Sequence, residues 1–244
     1  ALGTLMAFVA AAIPLFYFAV FRSKILAWRQ DVERFTWCWD YIRHACGLGA
    51  PMAFQYLLMN GAQVVSTTIV AIAANSFAIT AESLCYMPGY GIGDAATTLI
   101  GQSVGARRAD LCRSFAKMTV TTGMIVMALM GVVMYVFAPE MIGLLSPVDE
   151  IRTLGTEVLR IEAFAEPFFA AAIVSYSVCV GAGDTLRPSI INLGSMWFVR
   201  LTLAAAMAPH FGLRGVWVAM AIELTVRGLL FLWRIARGKW LKMD

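Results

Sequence analysis

Long uncharged runs, separated by short clusters of charged residues, make up most of the chain. The first run, 2–21, carries no charge, and about 20 apolar residues are enough for a helix to cross the hydrocarbon core of a bilayer. The uncharged run 44–81 is too long for one helix, and its small polar sequence 73–76 predicts a turn that divides it. The pattern predicts seven membrane-spanning helices, at about 2–21, 47–72, 77–104, 118–139, 153–180, 189–209 and 214–236.

Composition agrees with a protein whose main solvent is lipid. Hydrophobic residues make up 60% of the 244 residues and charged residues 14%, whereas soluble domains contain about 45–50% and about 25%. A soluble fold of this size cannot bury so much apolar surface. We therefore expect an all-α polytopic protein in the plasma membrane, which is the inner membrane of a bacterium.

The lysines and arginines are concentrated in alternate loops. Fourteen of the 19 lie after the first, third and fifth predicted spans or near the C-terminus, whereas the other loops contain only Arg152 and Arg214. Cytoplasmic loops hold the excess of positive charge in membrane proteins, so the loop at Arg107 and the C-terminal tail are expected in the cytoplasm. Because the basic residues form short clusters rather than one surface, nucleic acid is not an expected partner.

Motifs of soluble enzymes are incomplete. The glycine-rich sequences 89–93 and 181–184 lack the full dinucleotide-binding spacing and follow no predicted strand. The five cysteines and two histidines show no metal-ligand spacing, and no Ser/His/Asp arrangement is present. The sequence predicts neither an enzyme nor a bound metal or organic cofactor.

Four motifs, in order along the chain, resemble those of the multidrug and toxic compound extrusion (MATE) family. They are Gly49-Ala50-Pro51, the glycine-rich stretch 86–106 that ends in Gly101-Gln102-Ser103-Val104-Gly105-Ala106, Gly181-Ala182-Gly183-Asp184-Thr185, and Trp197 and Arg200 followed by 212–217. The resemblance implies an antiporter that exports organic, often cationic, compounds from the cytoplasm in exchange for inward Na⁺ or H⁺. Its cavity would lie between two six-helix lobes related by a parallel repeat.

The resemblance also implies a division of the chain. Residues 1–22 would be the last helix of the N-terminal lobe, 23–46 a cytoplasmic or interfacial connector, 47–237 the six-helix C-terminal lobe and 238–244 a cytoplasmic tail. The connector is either a helix in the headgroup layer, as its mixture of aromatic and charged residues favours, or a plain link. The five preceding helices are absent, so the expected partners are the missing N-terminal lobe, the bilayer and small organic cations.

Acidic residues inside the predicted spans are candidates for binding the cation or the substrate, because unpaired charges are costly in a membrane. Glu82 lies towards the outer end of its span, Asp94 and Glu166 lie near the middle, and Glu162 lies in the outer half. Pro167 disfavours helical geometry at Glu166 and would leave backbone carbonyls free to bind a cation. An ion pair of Glu166 with Arg160 or another buried base is the alternative.

The resemblance does not supply the ion-binding residues directly. Met59 and Phe169 align with the Glu and Asp that bind the cation in the sodium-coupled branch, and neither can do so. Either the site has moved to Glu166, one turn from Phe169, with Gln55 and Asn60 beside Met59, or it lies in the missing first helix. The choice between Na⁺ and H⁺ stays open.

The remaining motif residues are expected to hold the structure or to form its gate. Arg200, Glu223 and Arg227 form a structural charge cluster, because opposite charges remove the cost of burying each alone. The packing, loop and gate positions are Pro51, Gly101, Gly105, Gly181, Gly183 and Asp184.

Two alternative functions remain. A flippase for lipid-linked oligosaccharides would need several basic residues facing a pyrophosphate, and only Arg160, Arg200 and Arg227 lie inside predicted spans. A membrane subunit without transport activity would not need acidic residues within apolar runs.

Overall fold

The computed structural model describes residues 39–69 and 73–241, and all of the secondary structure assigned within them is helical. The compact unit described below is Cys46–Asp244. The predicted first span and most of the predicted connector lie outside the described residues, as does the side chain of Asn60. The elements are α1 (Trp39–Ile69), α2 (Ala73–Gly105), α3 (Ala109–Leu145), α4 (Asp149–Ala163), α5 (Glu166–Gly181), α6 (Leu186–Gly194), a π-helical turn (Ser195–Arg200) and α7 (Leu201–Ala236).

The first two helices differ from their predicted bounds. α1 begins at Trp39 and includes residues assigned to the connector, and Pro51 lies inside it. The turn predicted at 73–76 is wrong, because α2 begins at Ala73 and continues through those residues. Asn75 is buried and accepts a hydrogen bond from the indole N–H of Trp217 at 3.0 Å. A partner 142 positions away, which no local pattern reveals, satisfies this polar residue inside a helix.

The fifth predicted span is broken. α4 and α5 meet at an angle of 58° across Phe164 and Ala165, and Pro167 lies in the first turn of α5. A proline is tolerated in the first turn because its missing N–H has no partner there. α3 packs directly onto this break, since a Cβ on Gly131 would lie 2.7 Å from the carbonyl oxygen of Ala163.

The last helical stretch, Leu186–Ala236, turns back on itself at Gly212. That residue has φ 57° and ψ −136°, a conformation that glycine adopts without steric cost. After the turn Gly215 approaches the backbone of Met207, and Glu223 reaches the hydroxyl of Ser195. The stretch therefore forms the two antiparallel helices predicted at 189–209 and 214–236.

Two helical stretches among the described residues are long and apolar enough to cross a membrane, Ala109–Leu145 and Leu186–Ala236, and the bent pair α4–α5 is a third if it is one span. Because Leu186–Ala236 reverses at Gly212, it accounts for two predicted spans. α1 and α2 occupy the second and third predicted spans. Glycines, threonines and two acids lower the hydropathy of α2.

Buried small and aliphatic residues join the helices at both ends of the lobe. One cluster packs Trp217 against alanines of α2 and against Met134 of α3. The other packs Trp240, beyond α7, against Cys112 and Ala116 of α3 and against Val178 of α5. These contacts fix the helices around a central cavity.

Candidate functional site

A cavity of about 560 Å³ lies inside the lobe. Residues of α1, α2, α5, α6, the π-helical turn and α7 line it. Its walls combine tyrosines and methionines with two acids, Glu82 and Asp94, and two arginines, Arg200 and Arg227. The cavity can therefore accept an organic molecule through apolar contacts and orient it through charge.

One wall is a stripe along α2. Glu82, Tyr86, Tyr90 and Asp94 recur every four residues, and all line the cavity. Residues spaced by four lie on one face of a helix, so this face is polar and aromatic while the buried alanines face the core. The stripe is visible in the sequence as a spacing of four. Its two acids are among the site residues predicted from the sequence, whereas its two tyrosines are not.

Aromatic rings continue from this stripe onto α5. The ring of Tyr86 contacts those of Tyr90 and Phe169 edge to face, each at a centroid distance of 5.6 Å. Met59 and Phe169, which the resemblance aligns with the cation ligands of the sodium-coupled branch, both line the cavity. These positions supply a thioether and a ring face, which suit an aromatic or cationic organic compound.

Two glutamates flank the break between α4 and α5. Glu162 and Glu166 are both 0% exposed, and no oxygen of either carboxyl group has a hydrogen-bond partner among the described residues. Glu166 does not pair with Arg160, which is exposed, donates to the carbonyl of Tyr135 at 3.3 Å and lies over its ring. The alternative of an Arg160–Glu166 ion pair is therefore wrong.

Glu82 belongs to the same acidic group, which the sequence did not indicate. It is 6% exposed, and its charge interacts with those of Glu162 and Glu166 and with that of Arg200. The helix that Glu82 faces depends on the packing of α2, so its distance along α2 does not reveal these neighbours. We call Glu82, Glu162 and Glu166 the acidic triad.

Glu223 is equally buried but is surrounded by partners. Its carboxylate accepts a hydrogen bond from Ser195 at 2.5 Å and lies 3.4 Å from Nε of Arg200 and 3.2 Å from Nε of Arg227. The guanidinium of Arg227 also lies 5.9 Å from the ring centroid of Phe169. The reversal at Gly212 brings these groups together, and Ser195 is a member that the sequence did not indicate.

The other candidate binding residues are near the cavity to different degrees. Gln55 lines it, is 2% exposed, and leaves its side-chain oxygen without a hydrogen-bond partner among the described residues. Asp94 lines the cavity beside Thr97 and Thr98 and is otherwise exposed.

The candidate gate residues lie at the end of the lobe where α5 ends. A Cβ on Gly181 would lie 2.7 Å from the carbonyl oxygen of Thr97, so α2 and α5 touch there. Gly183 has φ 77°, and Asp184 pairs with Arg234 of α7. Gly101 makes an ordinary contact with Gly181, whereas a Cβ on Gly105 would meet open space. Close packing is thus required at Gly181 but not at Gly105.

Comparison with protein families decides the assignment. A model of the MatE family matches residues 51–206. The chain belongs to the MatE family.

Probable multidrug resistance proteins NorM are similar along one part of their length. That of Thermotoga maritima is 26% identical over 212 residues, covering 84% of this chain and 46% of the relative. That of Mesorhizobium japonicum is 29% identical over 226 residues, covering 89% and 47%.

Solved structures show the same helical fold. A MATE transporter crystallised in the straight conformation superposes with a TM-score of 0.83 at 18% identity, covering 97% of the MatE chain and 56% of that structure. A transporter of the MOP superfamily from Pyrococcus furiosus gives a TM-score of 0.84 at 18% identity, with the same coverage. The MatE chain thus spans about half the length of the relatives it matches. It has the all-helical fold predicted from its sequence.

Proposed function

We propose that this MatE chain is the C-terminal lobe of a secondary antiporter that exports organic cations from the cytoplasm. A six-helix N-terminal lobe is its partner across the cavity, and the bilayer, in a bacterium the inner membrane, surrounds both. The observation that carries the proposal is the pair Glu162 and Glu166, buried at a break in a helix without a hydrogen-bond partner among the described residues. Membership of the MatE family and the cavity support it further.

The acidic triad provides a means of coupling to an ion. A buried carboxylate without a partner is costly in a medium of low dielectric constant, and a proton or another cation removes that cost. A proton needs one carboxyl group and no ligand shell, and neither Glu162 nor Glu166 has a hydrogen-bond partner among the described residues. These features support H⁺ over Na⁺ as the coupling ion.

The cavity chemistry supports an aromatic cation as the exported compound. Tyr86 and Tyr90 line the cavity on the same face of α2 as Glu82 and Asp94. Ring faces and carboxylates both attract a delocalised organic cation, and methionines adapt to its shape. When the triad gains a proton, the negative charge that attracts the cation falls, and the compound is released on the side from which protons enter.

The positive charges in the cavity do not favour the flippase alternative. Arg200 and Arg227 share the carboxylate of Glu223, so this cluster offers one net positive charge rather than the several that a pyrophosphate needs. Arg160 is engaged with Tyr135 and does not line the cavity.

Transport in proteoliposomes tests the proposal. The full-length protein is reconstituted, and efflux of ethidium is driven in separate arms by a pH gradient and by a Na⁺ gradient. We expect the pH gradient to drive efflux and Glu166→Gln to abolish it, because the amide keeps the shape but cannot exchange a proton. Glu157→Gln, also on α4 but in a half-exposed pair with Arg214, is the matched control and should transport normally.

Either of two results would contradict the proposal. Efflux driven by the Na⁺ gradient alone would assign the coupling to sodium. Wild-type rates in both Glu166→Gln and Glu162→Gln across the pH range would show that the pair does not couple an ion.

The orientation has a separate test. Single cysteines are introduced at Ala106 and at Glu150, both exposed, in a background without Cys46. Because the positive charges favour a cytoplasmic loop at Arg107, an impermeant maleimide added to intact cells should label position 150 and not position 106. The reverse pattern would refute the cytoplasmic tail.

A further inference from the structure

A second cavity of about 560 Å³ lies between the start of α3 and the end of α7 with the segment that follows it. Arg113, Ala116 and Lys117 form one wall, and Ile235, Arg237 and Trp240 are prominent in the other. We call it the basic groove. None of its lining residues lines the central cavity, so it has no part in the site described above.

The floor of the groove is built by the chain after α7. Gly238, with φ 67°, ends the helix, and its N–H donates to the carbonyl of Ile235 at 3.0 Å. The chain then folds back and buries Trp240, which is 1% exposed and donates its indole N–H to the same carbonyl at 3.2 Å. Trp240 packs with Cys112 and Ala116 of α3, so the two walls are held at a fixed separation.

The positive charges of the groove are not neutralised by the protein. Arg113, Lys117 and Arg237 are exposed, and none has an ion pair or side-chain hydrogen bond among residues 39–69 and 73–241. Among the described residues, Asp110 already pairs with Arg108 at 2.7 Å, and Asp184 pairs with Arg234.

The groove lies where the apolar part of the lobe begins. The exposed apolar face of α3 starts at Met118, directly after Lys117, and Trp233 is exposed beneath the guanidinium of Arg237 at 3.9 Å from its ring centroid. Tryptophan and arginine in this arrangement are typical of the boundary between hydrocarbon and water. A ligand bound in the groove would contact the cations at one end and the apolar side chains at the other.

We propose that the basic groove binds the headgroup of an anionic phospholipid. The phosphate lies between Arg113, Lys117 and Arg237, and the acyl chains continue along the apolar face of α3 and the side chain of Ile235. A basic pocket beside membrane-spanning helices has the charge and position that anionic headgroups require. A free phosphate would use the same cations but would gain nothing from the apolar walls, and this difference separates the two sources experimentally.

Binding is measured on the full-length protein in detergent, by native mass spectrometry and by thermal unfolding. The added probes are phosphatidylglycerol, phosphatidylcholine and inorganic phosphate in separate arms. We expect phosphatidylglycerol alone to stay bound and to raise the melting temperature. Arg113→Gln with Lys117→Gln should weaken its binding by about tenfold or more, because each cation near an anionic headgroup contributes substantially to affinity.

Two further variants make the result specific. Arg152→Gln with Arg187→Gln removes the same charge from exposed positions that do not line the groove. This control should bind phosphatidylglycerol as the wild type does. Ala236→Glu places a carboxylate in the groove at an exposed helix position and should abolish binding even if the double variant folds poorly.

Three results would overturn the proposal. Equal binding of phosphatidylcholine would remove the role of charge. An equal effect of inorganic phosphate would make the ligand a free anion. An equal loss of phosphatidylglycerol binding in the double-variant control would show only a general attraction of anionic lipid to a basic protein.

Discussion

Glu223 and Glu166 are both completely buried, yet the structure treats them in opposite ways. Glu223 is in contact with two guanidinium groups and a hydroxyl group, whereas Glu166 has no hydrogen-bond partner among the described residues. A carboxylate that is neutralised by the fold contributes to its stability. A carboxylate that the fold leaves without a partner can be neutralised only by a proton or another cation that binds and dissociates. Burial therefore does not identify the functional acid, and the set of partners does.

The difference follows from the helices that carry the two acids. Glu223 lies within the second arm of a helical hairpin, so the arm before it supplies Ser195 and Arg200 at a fixed separation. Glu166 lies at the start of α5, where the preceding helix ends and its direction changes by 58°. Its nearest charged neighbours are other acids, Glu82 and Glu162.

Removing the charge of Glu223 should have the largest effect on stability. Glu223→Gln leaves Arg200 and Arg227 as unpaired buried cations, which should lower the free energy of unfolding by about 3–5 kcal/mol. The measurement is thermal or denaturant unfolding of the purified protein in detergent. Glu157→Gln, in the half-exposed pair with Arg214, should cost less than about 1 kcal/mol. Equal losses in the two variants would show that the Glu223 cluster is not a special source of stability.

Replacing the whole cluster should sharpen this result. Glu223→Gln combined with Arg200→Met and Arg227→Met removes all three charges, and apolar replacements of buried ion triads are often neutral or stabilising. We expect most of the stability lost in Glu223→Gln to return, in the same unfolding measurement. A triple variant as unstable as the single one would mean that the arginines have essential contacts other than Glu223.

Gly131 tests how the unpartnered acids are held. A Cβ there would lie 2.7 Å from the carbonyl of Ala163 and 3.3 Å from Cβ of Glu166, so Gly131→Ala forces α3 away from the break. We expect a destabilisation of about 1–3 kcal/mol and slower ethidium efflux. Gly91→Ala, on α2 with open space around it, is the control and should be neutral or slightly stabilising. If the two variants behave alike, the break does not depend on close packing.

Glu166→Gln should have the smallest effect on stability. An uncharged carboxyl group and an amide have similar shapes and similar costs of burial, so the free energy of unfolding should change by less than about 1 kcal/mol. This variant should lose transport while keeping its stability, whereas Glu223→Gln should lose stability. A large loss of stability in Glu166→Gln would reveal a structural partner for Glu166 and remove the contrast between the two acids.

The sequence by itself determined the local features of this protein. Apolar runs specify helices in lipid because backbone groups must be satisfied within each segment. Pro167 predicted a break that is observed, and the spacing of Glu223 and Arg227 predicted an ion pair that is observed. The spacing of four from Glu82 to Asp94 also marks the cavity-lining face of α2, although only comparison with the structure drew attention to the tyrosines.

Only the tertiary structure decided which of these groups meet. The sequence allowed Arg160 as a partner for Glu166, but helix rotation turns Arg160 towards Tyr135. It did not indicate that packing of α2 brings Glu82 into the acidic triad, and it predicted a turn at Asn75, which Trp217 instead holds inside a helix. Each of these outcomes depends on the rotation of one helix against another. Rotation is set by side-chain packing between residues far apart in the chain, and the period of a single helix carries no record of it.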